Sequence, residues 1–318
     1  MALFYQGLVT NPLTMLGVFS SPDEVEALRA MREALNAAPH ADFPFEVTDL
    51  DCIRFLQARQ FNIESAVEMY VAWRKWYYLT PLPKLEGRMF RDSECSKWEI
   101  YPCTILEYDI PGLSDFNSRA SLYYSMLAED KDGSPIYWEK TGLTTPFYSS
   151  MLEDMSESDM VTLHIRQQEL LVTLLHDKSI KHGKHISKFV VISDMTGLTF
   201  SLDPAAMRMF LLLAAVDSAN YPERLKKLYF INAPFYFTAI WSVVWPFLNP
   251  ATVSKVVILG QDYLPTLLEA IDNEYIPTEY GGNLETAWNW PENFQSQTVS
   301  IPKPSTNYRP DTGTSESL

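Results

Sequence analysis

The sequence predicts an α/β protein in which a helical N-terminal lobe precedes a domain built on a mixed, largely parallel sheet. Three observations support this class. Apolar side chains occur at helical spacing near the N-terminus, an Asp-Gly turn separates two strand-like segments, and three short apolar runs alternate with helical patterns. That alternation is typical of parallel strands joined by helical crossovers.

The amino-acid composition favours a large apolar interior and excludes several functional classes. Of the 318 residues, 47% are hydrophobic and 20% are charged, which excludes a disordered or collagen-like chain. The net charge of -15 repels the phosphate backbone of nucleic acids, so no nucleic-acid partner is expected. The cysteines, Cys52, Cys95 and Cys103, lack metal-ligand spacing, so we expect no disulfide framework, no metal site and a reducing cytosol.

Three helices are predicted in the N-terminal lobe. The first begins at Pro22, because Ser21 supplies a side-chain cap and acidic residues follow in the first turn. The second begins near Thr48, with Asp51 in the capping-box position, and Asn62 caps the third. The expected inward positions of these helices are Val25, Leu28, Leu35, Ile53, Leu56, Ile63, Ala66, Tyr70, Trp73 and Tyr77, whereas Arg54 and Arg59 project elsewhere.

The second domain is expected to begin with a β-hairpin and a long helix. Segments 121–126 and 135–139 are strand-like, and Asp132-Gly133 between them is a typical hairpin turn. Leucines at helical spacing then predict one amphipathic helix over residues 156–176. Parallel strands are predicted over residues 189–192, 228–231 and 256–259, whereas residues 84–117 have no assignment.

The segment from residue 176 to residue 188 is rich in histidine and lysine, and we expect it to be a solvated connector. A metal site is disfavoured because the lysines would repel a cation. Contact with anionic lipid is a weaker alternative, since each basic residue near such a surface contributes about 1 kcal/mol. The residues concerned are His176, Lys178, Lys181, His182, Lys184, His185 and Lys188.

Neither the N-terminus nor the uncharged segment over residues 228–254 indicates export or membrane insertion. No lysine or arginine precedes Arg29, so we expect no secretory signal and a cytoplasmic location. Residues 228–254 carry no charged side chain and equal a membrane span in length. Asn232, Pro234 and Pro246 divide this segment into pieces too short to cross a bilayer, so we expect no integral membrane segment there.

The uncharged segment after Pro234 contains the most unusual predicted helix. Its apolar stripe consists of Phe237, Ile240, Trp241, Val244, Trp245 and Leu248. Tyr236, Val243 and Phe247 lie off this stripe, so the helix is apolar nearly all round. Such a helix is either a plain core helix buried on every side, or it contacts an apolar ligand or a membrane.

Motifs that indicate catalysis are absent from the sequence. No G-x-G-x-x-G, G-x-x-x-x-G-K-[ST], H-E-x-x-H or G-x-S-x-G pattern occurs. The dinucleotide, nucleoside triphosphate, zincin and serine-hydrolase classes therefore lack their usual scaffolds. We expect no catalytic residues and no enzymatic activity.

Several short motifs occur in order along the chain. They are residues 54–61 (Arg-Phe-Leu-Gln-Ala-Arg-Gln-Phe), the turn Asp132-Gly133, residues 194–197, residues 221–224 (Tyr-Pro-Glu-Arg), residues 229–234, residues 249–255 (Asn-Pro-Ala-Thr-Val-Ser-Lys) and residues 279–282 (Glu-Tyr-Gly-Gly). This set resembles the CRAL-TRIO family of lipid-binding proteins, and within it the yeast-type phosphatidylinositol transfer branch. An ordered set of matches is far more specific than any single motif.

The resemblance implies a domain organisation and a pocket. A helical lobe is expected at residues 20–83 and a lipid-binding α/β domain at residues 118–285, where the sheet floors a hydrophobic pocket closed by a mobile gating helix. The apolar helix described above stands at the position of this gate. Residues 296–318 are rich in Ser, Thr and Pro without periodicity and are expected to be a disordered tail.

The resemblance also assigns an inositol phosphate headgroup to four residues by motif position: Arg59, Glu223, Thr252 and Lys255. Two cations can neutralise a phosphate diester, and Thr252 can donate a hydrogen bond to a phosphate oxygen. Glu223 can orient Lys255 or accept hydrogen bonds from inositol hydroxyls. The basic residue that often follows the motif arginine is Gln60 here, which weakens that contact. Phosphatidylinositol is the expected ligand, with no other cofactor.

A second ligand is expected to be more hydrophobic than phosphatidylcholine. Family members that also bind phosphatidylcholine use tyrosines and hydroxyl side chains deep in the cavity. Tyr137 keeps one of these groups, but Met126, Phe189 and Val191 stand where the other polar groups would be. A choline phosphate against these side chains would lose hydrogen bonds, at a cost of a few kcal/mol.

The sequence therefore predicts a monomeric lipid-binding protein that takes up phosphatidylinositol and exchanges it during transient contact with membranes. Presentation of the lipid to a lipid kinase is a further expectation. Two alternatives stay open: a carrier of a sterol, tocopherol-like or retinoid ligand, and a lipid-sensing scaffold that does not transport.

Overall fold

A computed structural model of the chain describes residues 22–37, 47–79, 123–145, 152–153, 155–199 and 203–285, which belong to one compact unit. The predicted tail at residues 296–318 and the unassigned residues 84–117 lie outside these ranges, as do Cys95 and Cys103. The domain boundaries expected at residues 83 and 118 also fall outside them and stay predictions.

Three helices form the N-terminal part: α1 (Pro22–Ala37), α2 (Asp49–Ala58) and α3 (Ile63–Leu79). The predicted caps begin the second and third of them. The Thr48 hydroxyl accepts a hydrogen bond from the Asp51 amide at 3.1 Å, and the Asn62 side chain accepts from the Ser65 amide at 2.9 Å. The helices bury a common core that includes Leu28, Met31, Leu35, Ile53, Phe55, Leu56, Ala66 and Tyr70.

Two side chains of this lobe differ from the prediction. Val25 is 41% exposed, because it lies roughly 100° around the helix from the centre of the buried face. Arg54 is buried, with its guanidinium over the rings of Phe55 and Trp73 and a hydrogen bond to the carbonyl of Asn220. This arginine joins the lobe to a distant part of the chain, which local spacing does not reveal.

A β-hairpin follows, formed by the antiparallel strands β1 (Tyr123–Glu129) and β2 (Pro135–Glu139). The carboxylate of Asp130 accepts hydrogen bonds from the amides of Asp132 and Ser134, and Gly133 adopts a φ of 84°. A positive φ of this kind favours glycine, so the Asp-Gly turn forms as predicted. β1 continues three residues beyond its predicted end.

After the short helix α4 (Thr141–Thr144), the long helix α5 (Glu157–His182) begins at a reciprocal capping box between Ser156 and Asp159. α5 is six residues longer at its C-terminus than predicted, and it ends where Gly183 adopts a left-handed backbone.

The prediction that residues 176–188 are a solvated connector is wrong for most of the segment. Lys178 is buried in α5, and its ammonium donates to Glu129 at 2.6 Å. Lys181 and His182 contact the same carboxylate at 2.9 and 3.0 Å. The cations gather there because Glu129 ends β1 beside them, a partner that lies about fifty residues earlier in the chain.

The remaining strands confirm the α/β class. β3 (Phe189–Asp194), helix α6 (Pro204–Asn220), β4 (Leu225–Ile231) and, further on, β5 (Val256–Ile258) complete a five-stranded sheet in the order β1-β2-β3-β4-β5. The pairs β2–β3, β3–β4 and β4–β5 are parallel. The chain therefore builds the mixed, largely parallel sheet that the alternating pattern predicted.

The predicted apolar helix between β4 and β5 is shorter than its stripe suggested. Helix α7 (Phe237–Val244) ends at Trp245, and a 3-10 turn (Trp245–Phe247) and the short helix α8 (Pro250–Val253) follow. Pro246 has no amide hydrogen for the next helical bond, so the turn tightens there. In the described part of the chain, no helix is long and apolar enough to cross a membrane.

The sheet directs alternate side chains to two faces. The first face is covered by helix α9 (Leu264–Ala270) and by the 3-10 turns Asn273–Tyr275 and Thr278–Tyr280. Its core consists of Ala128, Ile136, Trp138, Val190, Ile192, Tyr229, Ile231, Leu267, Ile271, Ile276 and Tyr280. On the second face, α5 packs through Leu171, Leu174 and Leu175 against Tyr137 and Phe189.

Candidate functional site

A cavity of about 530 Å³ lies against the second face of the sheet. Side chains of β2, β3, β4 and β5 border it from one side, and α5, α6 and α7 contribute to the other walls. Its apolar lining includes Met160, Leu163, Val191, Ala206, Leu213, Leu228, Phe230 and Val256. A volume of this size and an apolar lining with a few polar groups are typical of sites for organic ligands.

Three charged residues meet at the amino-terminal edge of the sheet, and we call them the charged rim: Lys188, Glu223 and Lys255. Lys188 directly precedes β3, Lys255 directly precedes β5, and Glu223 lies two residues before β4. Adjacent parallel strands begin at one edge of a sheet, so the three side chains come together. The Glu223 carboxylate accepts from Lys188 at 2.6 Å and from Lys255 at 3.3 Å.

Glu223 is ionised by its surroundings. Burial alone would raise the pKa of this carboxyl, but the hydrogen bond and charge of Lys188, together with those of Lys255, outweigh it and lower the pKa below its ordinary value. Glu223 also has a φ of 58°, a left-handed conformation that is uncommon for residues other than glycine. The two lysines thus hold a carboxylate that the turn before β4 directs toward them.

Arg59 and Thr252 border the same cavity. Arg59 is the residue after α2, where Gln60 and Phe61 both adopt left-handed backbone and the Phe61 amide donates to the Leu56 carbonyl at 2.7 Å. This turn ends the helix and sets Arg59 on the cavity side. Within the described residues, the Arg59 guanidinium makes no hydrogen bond or ion pair, so its charge is available to a ligand.

The structure therefore brings together the four residues predicted for a headgroup, since Arg59, Glu223, Thr252 and Lys255 all border one cavity. Their role in binding stays a prediction. Lys188 was not among the predicted site residues, because its segment was predicted to be a solvated connector. Its position directly before a predicted strand, like that of Lys255, was the signal that could have identified it.

Three of the four residues predicted to surround a second ligand also border the cavity: Tyr137, Phe189 and Val191. Val191 lies opposite Tyr137 in the parallel pairing of β2 and β3 and borders the cavity from its floor. The side chain of Met126 lies outside the described residues.

Most of the predicted gate residues face the cavity. The residues that border it are Phe237, Ile240, Trp241, Val244 and Leu248. The ring centroid of Phe230 in the sheet lies 4.9 Å from that of Phe237 and 5.7 Å from that of Trp241. The prediction that Trp245 belongs to the same apolar stripe is wrong. Its side chain does not border the cavity and is 48% exposed, because the helix ends before it. α7 is therefore buried on one side only.

A second polar group borders the cavity, and two of its members lie at the carboxyl end of β2. We call Glu139, Thr141, His164, Gln168 and Asp217 the inner polar patch. Thr141 donates to Glu139 at 2.8 Å, and the His164 ring nitrogen Nε2 lies 2.7 Å from Asp217. None of these residues was predicted from the sequence, because they come from β2, α4, α5 and α6 and share no motif.

Comparison with known proteins gives a consistent result. Residues 120–282 match the family described as CRAL/TRIO domain. The chain is 30% identical over 266 residues to a phosphatidylinositol/phosphatidylcholine transfer protein of Arabidopsis thaliana, covering 83% of this chain and 64%, under two thirds, of the relative. It is also 30% identical over 268 residues to a CRAL-TRIO domain-containing protein of Saccharomyces cerevisiae, covering 82% of this chain and 78% of the relative.

A solved structure has the same fold. The crystal structure of Sfh5 superposes with a TM-score of 0.61 at 16% sequence identity, over 85% of this chain and 91% of that one. At this identity the similarity concerns the fold alone.

Proposed function

The chain belongs to the CRAL/TRIO domain family, and from that premise we propose that it binds phosphatidylinositol in its cavity and transfers it between membranes. The observation that carries the proposal is an apolar cavity bordered by Arg59, Thr252, Glu223 and Lys255, with Lys188 bound to Glu223. The plant relative is named as a phosphatidylinositol/phosphatidylcholine transfer protein, which supports a lipid as the cargo. The proposed activity is binding and exchange, in which no covalent bond is made or broken.

The headgroup phosphate is proposed to bind between Arg59 and Lys255. Lys188 makes the shorter contact with Glu223, so it keeps that carboxylate neutralised when Lys255 moves toward a phosphate. Thr252 then donates to a phosphate oxygen, and the free lone pairs of Glu223 accept from inositol hydroxyls. This division of roles explains why a carboxylate stands in a site for an anionic lipid.

The cavity lowers the free-energy barrier to transfer. A methylene group exposed to water costs about 0.8 kcal/mol, so the two long acyl chains of a phospholipid present a barrier on the order of 20 kcal/mol. The lining from the sheet and from α5, α6 and α7 replaces water around these chains. The charge of -15 disfavours lasting adhesion to acidic bilayers, as a carrier that must leave requires.

The outer side of the gate is proposed to contact the bilayer. Phe235 is 94% exposed and Phe247 is 69% exposed, and Val243 and Trp245 between them are about half exposed. An exposed apolar patch that flanks the helix over the cavity is suited to transient insertion among lipid headgroups. The protein is proposed to take up the lipid at the bilayer as a monomer and then to present it to a lipid kinase.

Removal of the two cations tests the headgroup site. In an assay of labelled phosphatidylinositol moving between vesicles, we expect Arg59→Ala and Lys255→Ala each to reduce the transfer rate at least tenfold, because a hydrogen bond to a charged group contributes about 1.5–3 kcal/mol. Arg208→Ala and Lys184→Ala are matched controls, since both side chains are exposed and neither borders the cavity. Transfer at the wild-type rate by both cavity variants would contradict the proposed site.

Removal of exposed aromatic rings tests the membrane contact. We expect Phe235→Ser and Phe247→Ser to weaken co-sedimentation with vesicles severalfold while the thermal unfolding temperature stays unchanged, because neither ring is buried. Ile180→Ser is the control, since Ile180 is a half-exposed apolar side chain near the end of α5 that does not border the cavity. Equal losses in all three variants would argue against a contact specific to the gate.

A further inference from the structure

Helix α6 forms a loosely packed wall of the cavity. Of its 17 residues, Ala206, Met209 and Asn220 are buried, and all the others are at least partly exposed to the cavity or to solvent. Helix α5, in contrast, packs a row of leucines against the sheet. Burial of apolar surface therefore contributes less to the position of α6 than to that of α5, and polar contacts contribute more.

Pairs of oppositely charged side chains join α6 to α5. Near the start of α6, Arg208 pairs with Glu157 at 2.5 Å, but both side chains are exposed to solvent, and exposed pairs contribute little. Further along, Asp217 of α6 and His164 of α5 both border the cavity, and Oδ1 of the aspartate lies 2.7 Å from Nε2 of the histidine. Histidine changes its charge near neutral pH, so the strength of this second contact depends on pH.

The surroundings of His164 favour its protonated form. The side chain is 16% exposed, and burial alone would lower the pKa of the imidazole. The charge and hydrogen bond of Asp217, together with the charge of Glu139, outweigh burial and raise the pKa of His164 above its ordinary value of 6.5. The packed arrangement of α5 and α6 therefore stabilises an imidazolium that the two carboxylates neutralise.

The groups around His164 give the pH dependence a defined sign. Asp217 of α6 and Glu139 of β2 are the titratable groups that act on it within the described residues. Gln168 of α5, whose Nε2 lies 3.4 Å from the ring nitrogen, and Thr141 of α4, which donates to Glu139, are neutral. Burial raises the pKa of Glu139, and its protonation at low pH removes an anion from beside the imidazolium. Protonation of Glu139 thus weakens the contact between the helices, whereas protonation of His164 strengthens it.

We propose that His164 and Asp217 form a proton-dependent latch between α5 and α6, which holds this wall of the cavity closed while His164 is protonated and releases it as the pH rises. When α6 moves away, His164 contacts water and its pKa returns toward 6.5. The latch is therefore complete below pH 6.5 and is lost as the pH rises through the raised pKa of the closed arrangement. The inference rests on the proposed function, because the step that it regulates is exchange of the lipid.

Two measurements on the purified full-length chain at pH 6.0 and pH 8.5 test the latch. The first is amide hydrogen exchange by mass spectrometry, corrected for the intrinsic effect of pH. We expect the protection of α6 to fall at least about threefold at the higher pH, whereas β4, which is paired on both edges, stays unchanged. The second is transfer of labelled phosphatidylinositol between phosphatidylcholine vesicles, whose charge is constant over this range. Its rate should rise by a similar factor.

Variants assign the pH dependence to the pair. His164→Gln keeps a neutral hydrogen-bonding group and removes the titration, and Asp217→Asn removes the anion. Each should give α6 the low protection of the wild type at pH 8.5 at both pH values, and the double variant should add nothing, because both changes remove one interaction. His182→Gln is the matched control: His182 also contacts a carboxylate, that of Glu129, but it does not border the cavity, so the wild-type profile should persist. Thermal unfolding checks that each variant folds, and the wild-type profile needs no variant.

The outcomes separate the latch from the proposed function. Protection of α6 that is equal at the two pH values, or higher at pH 8.5, would overturn the inference, and so would a wild-type profile in both His164→Gln and Asp217→Asn. A transfer rate that ignores pH while the protection of α6 changes would show that this wall does not control exchange. Absence of transfer at either pH would instead remove the proposed function, and hydrogen exchange would then test the latch by itself.

Discussion

The two faces of the sheet are built from the same strands, yet one is solid and the other is hollow. On β3, Ile192 points into the first face and is completely buried, whereas its neighbour Val191 points into the second and borders the cavity. On β2, Trp138 stacks on Tyr280 with 4.7 Å between ring centroids, and the next residue, Glu139, belongs to the inner polar patch. Alternation sets which face a residue joins, and the covering elements set whether that face is filled.

The covering elements explain this difference. The first face is covered by α9 and by short turns that follow it closely in the sequence. The Tyr280 hydroxyl stabilises this layer by donating a hydrogen bond to the Asp194 carboxylate at 3.0 Å. The second face is covered by longer helices from three separate crossovers, and they enclose the cavity between them. A cavity persists only where the elements that form its walls are anchored by other contacts, because close packing would otherwise fill the space.

Truncation on β3 gives the largest expected effect and tests the comparison directly. We expect Ile192→Ala to lower the free energy of unfolding by about 3 kcal/mol, because it leaves a void in a filled core. Val191→Ala should cost under about 1 kcal/mol, because it enlarges a space that already exists. Urea denaturation measures both, and equal losses would show that the second face is as tightly packed as the first.

The ion cluster at the end of β1 should give a slightly smaller and pH-dependent effect. Burial opposes ionisation of Glu129, but hydrogen bonds from Lys178, Lys181 and His182 lower its pKa to about 2, from an ordinary value of 4.5. A lowered pKa stabilises the folded state above the ordinary value, and this contribution is lost as the pH falls toward 2.

We therefore expect Glu129→Gln to be about 2 kcal/mol less stable than the wild type above pH 5, with the difference closing between pH 4.5 and pH 2. Asp132→Asn in the same hairpin is the control, since its ion pair with Lys226 is exposed and should change stability by under about 1 kcal/mol. A pH-independent difference in unfolding free energy would show that α5 is not held by this carboxylate.

Filling the cavity should have the smallest effect on stability. We expect Val191→Trp to change the free energy of unfolding by less than about 1 kcal/mol, because the indole enters open space rather than a close-packed core. The same change should reduce phosphatidylinositol transfer strongly, because it takes volume from the acyl chains. A loss of several kcal/mol with normal transfer would mean that Val191 does not border a ligand space.

Much of the fold followed from short-range patterns. Thr48, Asn62 and Ser156 begin helices because their side chains accept hydrogen bonds from amides three residues away. Asp132-Gly133 forms a turn because glycine tolerates a positive φ. Two of the errors arose where a distant partner intervened: Arg54 meets Asn220, and Lys178 meets Glu129.

The site divides in the same way. Arg59, Glu223, Thr252 and Lys255 were predicted because they belong to recognisable motifs, and all four border the cavity. Lys188 was missed because its only signal was its place before a strand. Gln168 and His164 were missed because nothing in their neighbourhood along α5 shows that His164 meets Asp217 of α6 and that Gln168 lies beside it.

The amino-acid sequence alone determined where strands and most helices begin, which face each strand residue joins, and which family the chain resembles. These properties depend on steric preferences and hydrogen bonds within a few residues. Only the tertiary structure decided that one face of the sheet is solid and the other hollow, that Lys188 joins the rim, and that a second polar patch borders the cavity. Those features depend on contacts between residues far apart in the chain, and such contacts exist only once the helices have packed.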